Sequence, residues 1–408
     1  MIVPDPRTVL LRSALMVGIL GASLSGCRDE LTTPADCPAL CPGGQQPVQE
    51  LVLPATLNMD TSYFGYVGPG IGPSLRISNG LPASEDRALT VFLPRPDSIT
   101  VNDTARAIVR LDSAAISLTL QKRDTLVTGL KLFIYSLPTD LDTNTTFADV
   151  DPQFIAANLI DSIVVPDSLK AGTLRAVISG VDTIRLKPDS IGRIGIGVTI
   201  TANAPTGIRI ASIAATGSPN LTSYFRVNLP SDTTKAKQTL VRFPQFNTFV
   251  SQNPAVSDLD LLPVGGAPSA RALLRFALPV AIRDSVTILR ATLEMTPDVT
   301  IHGLPNDPAT LQAFGAIGDL GAKSPIISSG NTIATTTIDD GTSSTVSIDI
   351  TRLVRIWQGS TGVPQLVFLA ISPEAASFTS PVFRSTRSAS GAPQVRITYY
   401  QQFPFERP

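Results

Sequence analysis

The chain has 408 residues, of which 16% are Asp, Glu, Lys or Arg, and its formal net charge is −1. That length allows two or three domains, and the balanced charge gives no electrostatic footprint for nucleic acid. One histidine, His302, and three cysteines, Cys27, Cys37 and Cys41, all ahead of residue 50, exclude most histidine-based catalytic and metal centres and any thiol chemistry in the body of the chain.

Arg7 and Arg12 precede an uncharged run from Ser13 to Leu24, followed by the small residues Ser25 and Gly26 and then Cys27. A basic start, a short apolar core and a small-residue cleavage site are the plan of a secretory leader. The run is shorter than the roughly 20 apolar residues that span a bilayer, and no later segment is long and apolar enough to span one either. The sequence "LSGC" resembles the lipobox of bacterial lipoproteins. That resemblance implies Leu24, Ser25 and Gly26 as recognition residues and Cys27 as a lipidated N-terminus. It also implies, from Arg28 in the following position, a place at the outer membrane of a Gram-negative bacterium. An ordinary secretory leader with an incidental cysteine is the plainer reading of the same residues. Each buried CH₂ of an acyl chain contributes about 0.8 kcal/mol, so several chains on Cys27 would anchor the protein stably.

Residues 1–26 are thus the expected leader and 27–50 a lipidated tether. The stretch "RDELTTPADCPALCPGGQQPVQE" is too rich in Pro, Gly and polar groups to bury a core. Within it, "CPALC" predicts a small disulfide loop between Cys37 and Cys41 in an oxidising compartment; two free thiols or a weak metal pair are the alternatives.

From residue 51 onward, short runs rich in Val, Ile, Leu and Thr alternate with Pro, Gly, Asp, Asn and Ser clusters, as in "RALTVFLP", "GLKLFIYSLP", "IGIGVTITA" and "QVRITYY". Period-two patterning at a spacing near ten residues predicts an all-β sandwich or barrel. "PDS" followed by an aliphatic residue at Pro96, Pro166 and Pro188 reads as a turn into a strand. "RALTVFLP" at Arg87–Pro94 matches "RALLRFALP" at Arg271–Pro279. "IYSLPTD" (Ile134–Asp140) echoes "IHGLPND" (Ile301–Asp307), and "SYFR" (Ser223–Arg226) echoes "PVFR" (Pro381–Arg384). Two copies of one domain are expected, 51–230 and 240–402, with a linker at 231–239 and a tail at 403–408.

The second copy carries Gly265–Gly266, "RALLRF" at Arg271–Phe276, Pro279, "ATLEM" at Ala291–Met295 and "DITRLVRIWQGSTG" at Asp349–Gly362. In these it resembles DNRLRE-type domains, which are similar to carbohydrate-binding jelly rolls of secreted and surface proteins. The resemblance implies two tandem antiparallel β-sandwiches of jelly-roll type.

Candidate functional residues are few. Tyr63, Phe64 and Tyr66 beside a glycine-rich loop are candidates for stacking on a sugar, or they are ordinary strand residues. Asp140, Asp142, Asn144 and Asp151 fall at positions 1, 3, 5 and 12 of a loop, the spacing that wraps oxygens around calcium, although Thr145 stands where the turn wants glycine. A solvated polar loop is the default for that stretch. Trp357 falls with Leu353 and Val354 on one face of a short predicted helix, as core packing requires, a stacking platform for sugar being the alternative, and His302 has no partner constellation. There is no G-x-S-x-G elbow, P-loop or dinucleotide fingerprint, and the two acids of a glycosidase would be placed by the fold rather than by a motif. The expectation is a non-catalytic envelope protein without a required cofactor. Its partners would be the membrane, through the N-terminal lipid, and either polysaccharide or other envelope proteins, with no nucleic acid.

Overall fold

The computed structural model describes residues 48–401 apart from 66, 82–84, 102, 228–236, 253–257, 259, 268, 285, 328–332 and 361. Strands dominate it. In chain order they are β1 (Gln49–Pro54), β2 (Thr61–Phe64), β3 (Ser74–Asn79), β4 (Glu85–Phe92), β5 (Ser98–Val101), β6 (Thr104–Arg123), β7 (Lys131–Leu137) and β8 (Leu159–Val164). There follow β9 (Gly172–Ser179), β10 (Ile194–Thr201), β11 (Thr206–Ala211), β12 (Asn220–Val227), β13 (Lys237–Arg242), β14 (Pro244–Ser251), β15 (Leu261–Pro263) and β16 (Ala270–Arg275). The last are β17 (Val286–Met295), β18 (Ala309–Gly315), β19 (Ala334–Ile338), β20 (Val346–Asp349), β21 (Leu366–Ser372), β22 (Val382–Arg384) and β23 (Gln394–Gln401). The fold is all-β and sandwich-like, with antiparallel pairing between the strands.

Alternation sets the faces. Along β9, Leu174, Ala176 and Ile178 are buried while Thr173, Arg175 and Val177 are exposed, because successive side chains of a strand point to opposite faces. β12 repeats the pattern, burying Leu221, Ser223, Phe225 and Val227. β10 is different: Ile194–Val198 is buried throughout, so this strand is covered on both faces.

One hydrogen-bonded path runs β13-β12-β6-β11-β3-β4-β10-β7-β8, with β14 added beside β4, and β9 and β5 beside β6. Strands far apart on that path share one core. Ile116 and Leu118 of β6 cluster with Ile134 of β7, Ile160 of β8 and Ile196 of β10. The sheet therefore folds over on itself, with β9-β6-β12-β13 against β8-β7-β10-β4-β14.

A second core lies between the four-stranded sheet β1-β23-β17-β20 and the five-stranded sheet β19-β18-β21-β16-β2. The helix Thr351–Gly359 packs Leu353, Val354 and Trp357 into it. Trp357 stacks on Phe276 with ring centroids 6.0 Å apart. As a fully buried residue it serves the core, and no sugar reaches it.

Strand pairing does not follow the two halves of the sequence. β1 and β2 complete the sheets formed by β15–β23, and β13 and β14 complete those formed by β3–β12. The described residues from Gln49 to Gln401 form one compact unit. Where the two cores adjoin, Arg76 of β3 donates to the Ser377 carbonyl at 2.7 Å, and Arg209 of β11 pairs with Asp307 at 2.5 Å. Gly207 has no room for a side chain there: a Cβ would lie 2.7 Å from the Phe378 ring. The expected leader, the expected tether up to residue 47, the expected tail at 403–408 and residues 231–236 of the expected linker lie outside the described residues; Gln49 and Glu50, expected in the tether, belong to β1, and Lys237–Thr239, expected in the linker, open β13.

Candidate functional site

The connection from β7 to β8, residues 138–158, folds back over the outer face of the five-stranded layer of the first sandwich. Sequence permits this at β10. A Cβ on Gly195 would lie 2.5 Å from the Pro138 carbonyl oxygen, and one on Gly197 would lie 2.5 Å from the Phe154 ring. The "IGIG" of β10 is therefore a bare strip on which the loop lies flat. Val150, with Leu141, Phe147 and Phe154 packed alongside, closes a small apolar cluster with Leu89 of β4, Leu137 of β7 and Val250 of β14.

Arg87 of β4 is the post that holds this loop. Its guanidinium lies 4.2 Å from the ring centre of Phe147 and 4.3 Å from that of Phe154. It also pairs with Glu85 and Asp151, each at 2.7 Å. Cation–π contacts strengthen as water is excluded, and this side chain is almost fully buried. At the start of the loop, Thr139 donates to Asp189 Oδ2 at 2.7 Å. That bond, the largest of several, holds the Asp189 carboxyl well below the usual carboxylate range.

The chain between these two fixtures builds its own turn and one helical turn. Asn144 N donates to Asp142 Oδ1 at 2.8 Å and Thr145 Oγ1 donates to the same oxygen at 3.2 Å. Thr146 then caps the helix Phe147–Val150: its N–H donates to Asp149 Oδ2 at 2.8 Å, and its hydroxyl accepts from Asp149 N. This is a capping box with Asp in place of Glu. The backbone N–H of Asn144 lowers the Asp142 pKa, and the Thr146 hydroxyl lowers that of Asp149.

The result is an open cleft of about 410 Å³ lined by Pro138, Asp140, Leu141, Asp142, Asn144, Thr145, Asp149, Val150 and Gln153. Carboxylates and amides form its rim and Leu141, Val150 and Pro138 its apolar part. Such a cup can accept hydrogen bonds from hydroxyls through Asp and donate through Asn and Gln, over a greasy patch.

The structure brings Asp140, Asp142 and Asn144 to this cleft, while Asp151 stands outside it, paired with Arg87. Asp142 and Asn144 are bonded to each other rather than splayed around a common point. Among the described residues no three or more His, Cys, Asp or Glu side chains are grouped to hold a metal ion. The four expected ligands are thus not gathered around one point.

Tyr63 packs half-buried on the outer face of the second sandwich with Leu273, Phe368 and Phe314, while Phe64, 50% exposed, is on the opposite side of β2. The two rings do not form one platform. Tyr66 lies outside the described residues, as do Leu24, Ser25, Gly26, Cys27, Cys37 and Cys41. The His302 side chain is exposed, with Nδ1 3.6 Å from Asp340. Sequence reasoning passed over Arg87, Thr146, Asp149 and the two β10 glycines. The spacing Thr-x-x-Asp and the alternation "IGIG" were the available signals.

Among the described residues no helix is long and apolar enough to cross a membrane. No protein-family model matches the chain, and no curated protein matches it.

Proposed function

We propose that this is a non-catalytic, lipid-anchored protein of the bacterial cell envelope whose first sandwich binds polysaccharide. The observation that carries the reading is the cleft at Pro138–Gln153: a polar rim over an apolar patch, on a loop fixed by Arg87 and by Thr139. A preformed rim of this kind binds without the entropy cost of ordering a loop. The lipobox resemblance at Leu24–Cys27 supports the anchor. The resemblance of the second half to DNRLRE-type domains, themselves similar to carbohydrate-binding jelly rolls, supports the ligand class.

The test is binding of residues 49–408 to a broad glycan panel, with added calcium and with chelator. Selective binding that Asp142→Ala abolishes, unchanged by chelator, is the expected result. Binding unaffected by Asp142→Ala sinks the assignment to this cleft. For the anchor, Cys27→Ala should release the protein from membranes into the soluble fraction.

A structural or assembly lipoprotein contacting other envelope proteins is the second reading. The observation favouring it is a run of exposed aliphatic residues on β9 and the 3₁₀ segment after it: Val177, Val181 and Ile184, 55%, 86% and 80% exposed. Exposed apolar groups that cluster mark interaction surfaces. Failure of every glycan to bind would favour this reading.

A further inference from the structure

The two sandwiches share one strand plan, and that plan shows which strands are out of place. In the first, the two layers run β9-β6-β12-β13 and β8-β7-β10-β4-β14; in the second they run β20-β17-β23-β1 and β19-β18-β21-β16-β2. Read position by position, β4 corresponds to β16, β6 to β17, β7 to β18, β8 to β19, β9 to β20, β10 to β21 and β12 to β23. The small pair β3–β11 corresponds to β15–β22. Those correspondences run in chain order. Apart from β5, which pairs with the start of β6 and has no counterpart, two strands remain in each sandwich, and they break the order: β13 and β14 hold the places in the first sandwich that β1 and β2 hold in the second.

Each pair therefore sits in the wrong half. β1–β2 precede the first sandwich in the chain but complete the second. β13–β14 precede the second but complete the first.

The sequences of β1 and β13 agree with that equivalence of place. Gln49-Glu50-Leu51-Val52 matches Gln238-Thr239-Leu240-Val241, and in both runs the leucine is partly buried and the valine exposed. Each pair is joined to its following strand by nine residues, 65–73 after β2 and 252–260 after β14. In each sandwich the pair takes the edge of one layer and then the edge of the other, a place that exposed strand edges leave open for any matching segment.

We propose that β1–β2 and β13–β14 are equivalent donor segments exchanged reciprocally between two tandem repeats within one chain. Each sandwich is an acceptor whose two open edges take an extended two-strand segment of the other repeat, and the two are interlocked by that exchange. Strand exchange of this kind between identical chains is a low-cost route to association; here two repeats of one chain use it to close on each other.

Cross-linking discriminates the arrangements, in a chain carrying Cys27→Ser, Cys37→Ser and Cys41→Ser. Glu50 is opposite Thr398, and Val241 is opposite Thr222, all on outer faces. In an unexchanged chain Glu50 would instead face Tyr224, and Val241 would face Arg396. Glu50→Cys with Thr398→Cys, and Val241→Cys with Thr222→Cys, should each cross-link within a monomer under mild oxidation or with a short bis-maleimide. Glu50→Cys with Tyr224→Cys, and Val241→Cys with Arg396→Cys, should not. The reverse pattern overturns the exchange. Cross-links of the first two pairs that appear only in a covalent dimer overturn closure within one chain and assign the segments to a second copy. Absence of all four overturns both pairings.

Discussion

Arg76 donates to Asp86 Oδ2 through Nη2 at 2.7 Å and through Nε at 3.2 Å, and neither side chain is more than 1% exposed. Asp86 also accepts from the hydroxyls of Ser78 and Ser251, while Arg76 spends Nη1 on the Ser377 carbonyl and lies over the rings of Phe249 and Phe378. A buried ion pair is tolerable only when its remaining donors and acceptors are met, and here they are met by groups from both sandwiches. Asp86→Ala strips the partner from a desolvated guanidinium and should cost about 3–5 kcal/mol. Replacing both residues, as Arg76→Met with Asp86→Leu, should cost less than Asp86→Ala alone. Denaturant midpoints of the three proteins check this; a double variant less stable than the single one would refute it.

Arg87 serves a different end, since all its partners but Glu85 lie in the candidate site's loop. Arg87→Ala removes two ring contacts, each worth about 0.5–2 kcal/mol, and the pairing with Asp151, which is worth little because Asp151 is half exposed. The expected loss is about 1–3 kcal/mol, concentrated in residues 138–158. Hydrogen exchange of those amides should rise by about tenfold or more, with β6 and β9 unchanged. Arg87→Lys should recover little of this, because an ammonium lacks the flat face that lies between Phe147 and Phe154.

How much of this was legible follows from the range of the forces involved. Alternation in "GTLRAVIS" or "NLTSYFRV" is local, so the strands and the all-β class could be read directly. "RALTVFLP" and "RALLRFALP" fall on β4 and β16, which hold matching places in the two sandwiches. "IYSLPTD" and "IHGLPND" do not: the first ends β7 and the second precedes β18. Short apolar phrases ending in Leu-Pro recur wherever a strand meets a turn, so likeness over seven residues does not fix topology. The exchange of β1–β2 and β13–β14 was illegible because edge pairing is set by backbone hydrogen bonds that either segment can make. In the site, the carboxylates of 140–151 were visible, but their partners were not. Asp142 and Asp149 turned inward to their own backbone, as Asp and Thr tend to do in turns, and Asp151 turned to Arg87.

Asp60, between β1 and β2, tests what holds the N-terminal segment in place. Its side chain is wholly buried and accepts from Thr386 N at 2.7 Å, Thr386 Oγ1 at 2.6 Å and Arg387 Nη1 at 2.8 Å. Asp60→Ala should cost about 3–5 kcal/mol, as expected when one partner of a buried charged network is removed. Because the sandwiches are interlocked, calorimetry should show one transition at lower temperature rather than a loss confined to the second sandwich. Two separated transitions would mean that each sandwich melts independently.

Acid sensitivity of the cleft follows from Asp142 and Asp149. Both are held below the ordinary Asp value of 3.8 in the folded protein, Asp142 chiefly by the Asn144 N–H and Asp149 chiefly by the Thr146 hydroxyl. A group whose folded pKa lies below its unfolded one adds stability that is fully present above the unfolded value and is lost as pH falls through the folded one. The turn at 142–149 should therefore stay intact from neutral pH down to about 5 and loosen below about 4. On the proposed function, glycan affinity would use the same ionised rim, and it should be flat between pH 8 and 5 and decline below that window. Asp149→Asn, which keeps an acceptor for Thr146 but no charge, should bind with weaker affinity that no longer falls with Asp149 titration. Affinity that instead changes between pH 8 and 6 would place a different titrating group at the binding surface and remove these two aspartates from it.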